Sequence, residues 1–179
     1  MPVFRLDPDV ARHVALFREI RLLALHTDPT AFGSNHEREL AFDATDWRAR
    51  LAGFAGHTGA VFAIDSSPDD AQSVEPVAPL IGMVGVGLPE PDDAAIWGMW
   101  VAPDRRRHGI ANQLLDAAEQ WALTSAARTA TLWVHRTNDG AKAVYDRRGY
   151  DLVDAADVPG RVLPECNDEI CMRLRLELT

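Results

Sequence analysis

The sequence predicts a single α/β domain, with a twisted, mixed, mostly antiparallel sheet of about seven strands flanked by helices. Three observations predict it. Short apolar runs of strand length alternate with amphipathic helical stretches in the order β-α-α-β-β-β-α-β-α-β-β. Polar turns rich in Pro and Asp join the second, third and fourth strand-like runs, as antiparallel neighbours require. One strand–helix–strand step, from Ala94 to His135, has the length of a parallel crossover.

The elements follow in order. Val3-Phe4-Arg5-Leu6 reads as a first strand, and Asp7-Pro8-Asp9 as a helix start. Val10, Val14, Phe17, Ile20, Leu23 and Ala24 keep helical spacing until Asp28-Pro29 breaks it. Ser34 with Glu37 three residues on has the form of a capping box. A short third helix is expected, capped by Thr45 or Asp46, with Trp47 and Leu51 inward. Gly59–Asp65 is a strand, Ser66–Pro79 a surface loop, Leu80–Leu88 a strand, Pro89–Asp93 a turn and Ala94–Val101 the next strand. Ile110, Leu114, Leu115, Ala118, Trp121 and Ala122 form one helical face. Ala130–His135 is a buried strand. Asn138 or Asp139 caps a helix with Ala141, Val144 and Tyr145 inward, ended by Gly149. Tyr150–Val153 is a strand, Asp154–Asp168 an irregular loop, and Glu169–Leu178 closes the sheet.

Composition narrows the function. At 179 residues, with 47% hydrophobic and 25% charged, the chain has the profile of one soluble domain with a real core. A net charge of −9 argues against binding nucleic acid, which needs clustered Lys and Arg, and weakly favours cationic partners. No apolar run approaches the ~20 residues of a membrane span. The first residues lack the order of a secretory signal, so a cytoplasmic location is expected. Cys166 and Cys171 are too few for a disulfide framework, and no Cys/His spacing suggests zinc. Cys171 is expected to face the core. No metal is expected.

The stretch Arg106-Arg107-His108-Gly109-Ile110-Ala111 carries the most information. It turns an apolar strand into an amphipathic helix running from Asn112 to about Ala126. Such a turn gathers unpaired N–H groups at the positive end of a helix dipole, which suits a phosphate. Three consecutive arginines, Arg105 to Arg107, precede the glycine in an acidic chain. The bland reading is a tight strand-to-helix connection.

From Ala94 to Tyr150 the chain resembles the GNAT superfamily of acetyl-CoA-dependent N-acetyltransferases. The resemblance rests on Ile96-Trp97-Gly98-Met99-Trp100-Val101-Ala102-Pro103, Arg106-x-x-Gly109-x-Ala111, Asn138-x-x-Ala141-x-x-x-Tyr145 and Arg148-Gly149-Tyr150. Pro29-x-Ala31-Phe32-Gly33-Ser34 with Glu37 resembles the acceptor-side segment of one branch. The resemblance implies that the amides of Arg106, Arg107, His108, Gly109, Ile110 and Ala111 hold the diphosphate of coenzyme A. It implies that Met99, Trp100 and Val101 pair with the pantetheine arm as an added strand does. That in turn requires the Ala94–Val101 and Ala130–His135 strands to splay. Asn138 is implied to contact the arm or a helix start, and Tyr145 to place its hydroxyl near the thioester sulfur. A neutral amine attacks a thioester directly, so no enzyme nucleophile is needed, and a phenol can serve the leaving thiolate.

The general base has several candidates. Ala94 and Ala95 stand where family members often carry an acid. Glu37, Asp92, Asp93, a water or an amine arriving neutral remain, with capping as the ordinary role of Glu37 and a solvated turn as that of Asp92 and Asp93. His135 lines an acceptor pocket or is structural. One of Trp97 and Trp100 belongs to the core and the other to the cleft. The implied partner is a small-molecule or peptide amine, and a homodimer is compatible with the fold. A noncatalytic acyl-CoA-binding module is the rival reading, and a P-loop nucleotide binder fails for want of Gly-Lys-Ser/Thr.

Overall fold

A computed structural model describes residues 1–52, 59–67, 75–76, 79–158 and 168–177. The strands are β1 (Phe4–Leu6), β2 (Gly59–Asp65), β3 (Leu80–Glu90), β4 (Asp93–Val101), β5 (Thr129–His135), β6 (Asp151–Val153) and β7 (Glu169–Arg175). The α-helices are α1 (Ala11–Thr27), α2 (His36–Leu40), α3 (Ala44–Ala52), α4 (Ile110–Thr124) and α5 (Asp139–Arg147). All seven strands form one sheet in the order β1-β2-β3-β4-β5-β7-β6. Only β4 and β5 run parallel; every other pair is antiparallel. The predicted fold class is the observed one.

Residues 80–87 of β3 are buried without a break. Successive strand residues face opposite sides, so both faces of β3 are covered, by α4 and by α1. A Cβ on Gly82 would lie 3.0 Å from both Ile110 and Leu114, so the missing side chain lets α4 approach closely. The predicted face of α4 is the packed one, with Ile110, Leu114, Leu115, Ala118 and Ala122 buried and Trp121 half-buried. Trp47 and Leu51 are buried from α3, and Cys171 is buried in β7.

Local chemistry moves several helix starts. α1 begins at Ala11, because Asp7 spends its carboxylate on the Asp9 amide in a turn and so caps nothing further along. α2 is capped by Asn35, whose side chain accepts from the Arg38 amide, and not by the expected Ser34–Glu37 box. α3 is capped by Asp43, which accepts from the Thr45 and Asp46 amides while Asp46 accepts from the Asp43 amide in return. α4 starts two residues earlier than expected, and the β3–β4 turn is tighter than the predicted Pro89–Asp93 connection. Most of the predicted 66–79 loop, the 159–167 stretch and Cys166 lie outside the described residues.

The central parallel pair is closed at one end and open at the other. β4 pairs with β5 only from Asp93 to Ile96, against Thr129 to Leu132. Asp93 pins the closed end: its carboxylate accepts from the Thr129 hydroxyl (2.6 Å), the Thr131 hydroxyl (2.8 Å) and Arg173 Nη2 (3.0 Å). The expected solvated turn is thus a clamp, with the Asp93 carboxylate committed to three donors. Beyond Ile96 an extra residue enters β4, since Met83 faces Trp100 while Gly85 faces Trp97. Gly98 sits in this bulge at φ +62°, a conformation that a side chain disfavours. The bulge bends β4 away from β5, and the expected splay results.

Helices α1, α2 and α3 are tied by a buried ion cluster. Glu39 is fully buried and accepts from Arg21 Nε (3.0 Å), Arg21 Nη2 (2.9 Å) and Arg50 Nη2 (2.8 Å). Burial works to raise its pKa, but the hydrogen bonds and charge of Arg21, with the charge of Arg50, leave it below the ordinary carboxylate value. This stabilisation is therefore present above the unfolded pKa, ~4.3, and is lost as pH falls through the lower folded value. Glu39→Ala should lower urea-unfolding stability at pH 7 by about 3–5 kcal/mol, because two arginines lose their counterion. The exposed Glu37→Ala should stay within about 0.5 kcal/mol. Equal losses in the two variants would refute the buried-cluster account.

Candidate active site

A cavity of about 730 Å³ opens where β4 and β5 part. Its walls are Met99, Trp100 and Val101 of β4, the loop residues Arg105, Arg106, Arg107 and Gly109, the start of α4 at Ile110 and Ala111, and α5 with its cap, from Asn138 to Arg147. Asp28 and Ala31, between α1 and α2, close the remaining side. The hydrophobic β4 wall and the polar loop therefore meet around one space.

The loop is built to present amides. Among the described residues, the backbone N–H groups of Arg107 to Asn112 donate to no acceptor, and the first helical bond is from Gln113 to Gly109. Arg107 (φ +67°) and Gly109 (φ +79°) both take the left-handed conformation that turns these amides to one side. For a bulky residue such as Arg107 that conformation costs about 1–2 kcal/mol. A Cβ on Gly109 would meet nothing within 4 Å, so the glycine faces open space. Unsatisfied amides, local strain and open space together fit a diphosphate. His108 is exposed and off the cavity wall; its Nδ1–H donates to the Arg106 carbonyl (2.8 Å).

A second network crosses the mouth. One oxygen of Asp28, Oδ2, accepts from Trp100 Nε1 (2.7 Å) and from Arg106 Nη2. Arg106 Nε also donates to the Val101 carbonyl (3.0 Å). Sequence reasoning read Asp28 only as a helix breaker. Its carboxylate joins the α1–α2 connection to β4 and the 106–111 loop across more than seventy residues of chain. Trp100 is the buried tryptophan on the cavity, whereas the Trp97 ring lies over Gly85, where a Cβ would come within 2.2 Å of it.

Tyr145 is 6% exposed and lines the cavity. Burial raises its pKa to about 12, so the phenol keeps its proton throughout the neutral range. Its hydroxyl donates to no described residue, while Tyr150, whose ring centroid lies 5.7 Å from that of Tyr145, donates its hydroxyl proton to Glu119 (3.0 Å). The two tyrosines thus differ: one anchors the core, the other faces the cavity with a proton to donate. Asn138 caps α5, accepting from the Ala141 amide (3.1 Å), and also borders the cavity.

The structure brings Met99, Trp100, Val101, Arg106, Arg107, Gly109, Ile110, Ala111, Asn138 and Tyr145 to one wall. Glu37 is exposed on α2 and does not line it, nor does His135, which pairs with the Thr137 hydroxyl (2.8 Å). Asp28 and Arg147 are the charged lining residues that sequence reasoning missed. Arg147 had a legible signal: it shares a helical face with Gly140 and Val144. Among the described residues no three His, Cys, Asp or Glu side chains are grouped to hold a metal, and no helix is long and apolar enough to cross a membrane.

This architecture, a sheet split at its one parallel pair above a loop of unpaired amides, is that of an acetyltransferase domain. The model of the acetyltransferase (GNAT) family matches residues 22–150, and the chain belongs to that family. Solved structures agree on the fold. An acetyltransferase from Streptococcus agalactiae is similar at TM-score 0.69 and 11% identity over 98% of both chains. A GNAT-family acetyltransferase from Staphylococcus aureus is similar at TM-score 0.68 and 13% identity, over 98% of this chain and 99% of that one. An aminoglycoside 6'-acetyltransferase type Ii is similar at TM-score 0.67 and 16% identity, over 100% and 99%. No curated protein matches the chain.

Asp28→Ala should cost about 1–3 kcal/mol in urea unfolding, since it strips the acceptor from the buried Trp100 indole and from Arg106. Asp104→Ala, whose partner Arg105 is surface-exposed, should cost less than about 1 kcal/mol. A neutral Asp28→Ala would mean that the network across the mouth contributes no stability.

Proposed function

We propose that the protein is an N-acetyltransferase that moves an acetyl group from acetyl-CoA to an amine of a small molecule or peptide by direct attack. The observation that carries this reading is the row of unpaired amides from Arg107 to Asn112 beside the open edge of β4. The amides and Gly109 would hold the diphosphate, and Met99 to Val101 would run alongside the pantetheine arm as a neighbouring strand does. Acetyl-CoA, when bound, supplies an activated thioester carbonyl. The chain's own part is then to orient, exclude water and manage one proton.

Tyr145 is the residue for that proton. A thiol titrates near 8.5 and this phenol near 12, so complete transfer to the leaving sulfur runs uphill by roughly three pKa units. The hydroxyl therefore acts chiefly by donating a hydrogen bond to the developing thiolate, in a site dry enough to strengthen it. No side chain is assigned as base. Asp28 is the only carboxylate among the described residues of the wall and is committed to Trp100 and Arg106. The amine reaches the site neutral or gives its proton to water. The same shortage of a free carboxylate favours the second reading, a noncatalytic acyl-CoA-binding module. Net charge −9 keeps nucleic acid off the list of partners.

Calorimetry with acetyl-CoA, followed by a thiol-release assay over a panel of polyamines, aminoglycosides, amino acids and peptides, tests the proposal. Absence of binding overturns both readings, and binding without transfer to any amine leaves only the module. Tyr145→Phe should lower kcat by about 10- to 1,000-fold with little change in cofactor affinity. The pH profile should rise as the acceptor amine deprotonates and show no fall due to Tyr145 below about pH 11, because its raised pKa keeps the phenol protonated there. An alkaline limb near pH 9 that vanishes in Tyr145→Phe would contradict the burial argument.

A further inference from the structure

Four arginines line the cavity, and they are not equally occupied. Arg105 pairs with Asp104, and Arg106 with Asp28. Arg107 and Arg147 make no ion pair with any described residue, in a chain with 27 acidic and 18 basic side chains. Several arginines elsewhere on the chain are likewise without an ion pair among the described residues; Arg107 and Arg147 differ in lining the cavity, where their charge is available to an anionic ligand. Arg107 lies inside the loop of unpaired amides, where a diphosphate would account for it. Arg147 does not. It stands on the cavity face of α5, roughly 13 Å along the helix axis from Asn138. Its neighbour Arg148 is held on another side of the helix by Glu119 and Asp116. One arginine of this adjacent pair is thus built into the fold while the other faces the cavity unpaired.

Coenzyme A carries a second anionic group besides its diphosphate: a phosphate monoester on the ribose 3' oxygen, set apart from the diphosphate by the sugar. We propose that Arg147 binds this 3'-phosphate, so that the protein distinguishes coenzyme A from 3'-dephospho-coenzyme A. The proposal rests on the acetyl-CoA reading above. A guanidinium offers a planar fork of donors to phosphate oxygens, and the monoester's charge close to −2 makes the contact charge-assisted. Arg107 serves the diphosphate, which both nucleotides possess, and so affects both alike.

Calorimetric titration of the full chain with coenzyme A and with 3'-dephospho-coenzyme A tests this. The wild type should bind the dephospho form about tenfold more weakly, a difference of ~1.4 kcal/mol. Arg147→Gln should bring coenzyme A down to the dephospho affinity and leave the dephospho affinity unchanged, and Arg147→Lys should keep part of the preference. Arg107→Gln should weaken both nucleotides by the same factor. The wild-type preference should shrink as KCl is raised, because the residue is exposed and its charge is screened. Equal binding of the two nucleotides by wild type, or a preference preserved in Arg147→Gln, overturns the subsite and leaves the acetyl-CoA reading standing. Failure of wild type to bind either nucleotide overturns that reading and the subsite with it.

Discussion

The single parallel contact in the sheet, between β4 and β5, is the constraint on which the rest depends. Its four paired positions are held by Asp93, which gathers Thr129, Thr131 and Arg173 around one carboxylate. Past Ile96 the pairing stops because Gly98 admits an extra residue into β4. A fully zipped pair would be more stable as a sheet, but it would have no cavity. A pair with no clamp would lose the crossover that carries α4. Pinning one end and bulging the other lets one ladder be both structural and open.

The same bulge connects the cavity to the helices α1, α2 and α3. An ideal Cβ on Gly98 would lie 3.8 Å from Arg21 Nη1, so the bulge is within reach of the buried cluster of Arg21, Glu39 and Arg50. Arg21 also stacks 4.5 Å over the Phe32 ring, in the segment between α1 and α2. Helices α1, α2 and α3, the last two short and of little intrinsic stability, are thereby fixed to each other through charges that burial makes costly to separate. Asp28 extends the connection to Trp100 and Arg106, so the α1–α2 connection, β4 and the 106–111 loop meet at one carboxylate oxygen.

The loop from Arg106 to Ala111 carries two unfavourable local features: a left-handed arginine and a run of amides with no acceptor among the described residues. Both are tolerated because the flanks are strong. α4 buries its apolar face against β3, and the Pro103–Arg105 turn is fixed by amide bonds to Ala102 and Pro103. Strain concentrated between two rigid elements is the expected signature of a binding loop.

The sequence by itself determined the sheet, the helices and the amide-bearing loop, since periodicity, turn residues and the glycine at 109 act locally and leave local traces. It made Tyr145 visible because an aromatic on an apolar helical face is legible from spacing alone. It could not rank carboxylates. Glu37 and Glu39 sit two residues apart on one short helix, and only the approach of Arg21 and Arg50, from the helices before and after it in the chain, makes one buried and leaves the other in solvent. Asp93 became a clamp, and Asp28 a bridge, for the same reason: a charged group's role is set by which partners the fold delivers to it, and those partners lie 36 to 80 residues away. Local geometry is written in neighbouring residues, whereas desolvation and ion pairing are decided only once the chain has closed around them.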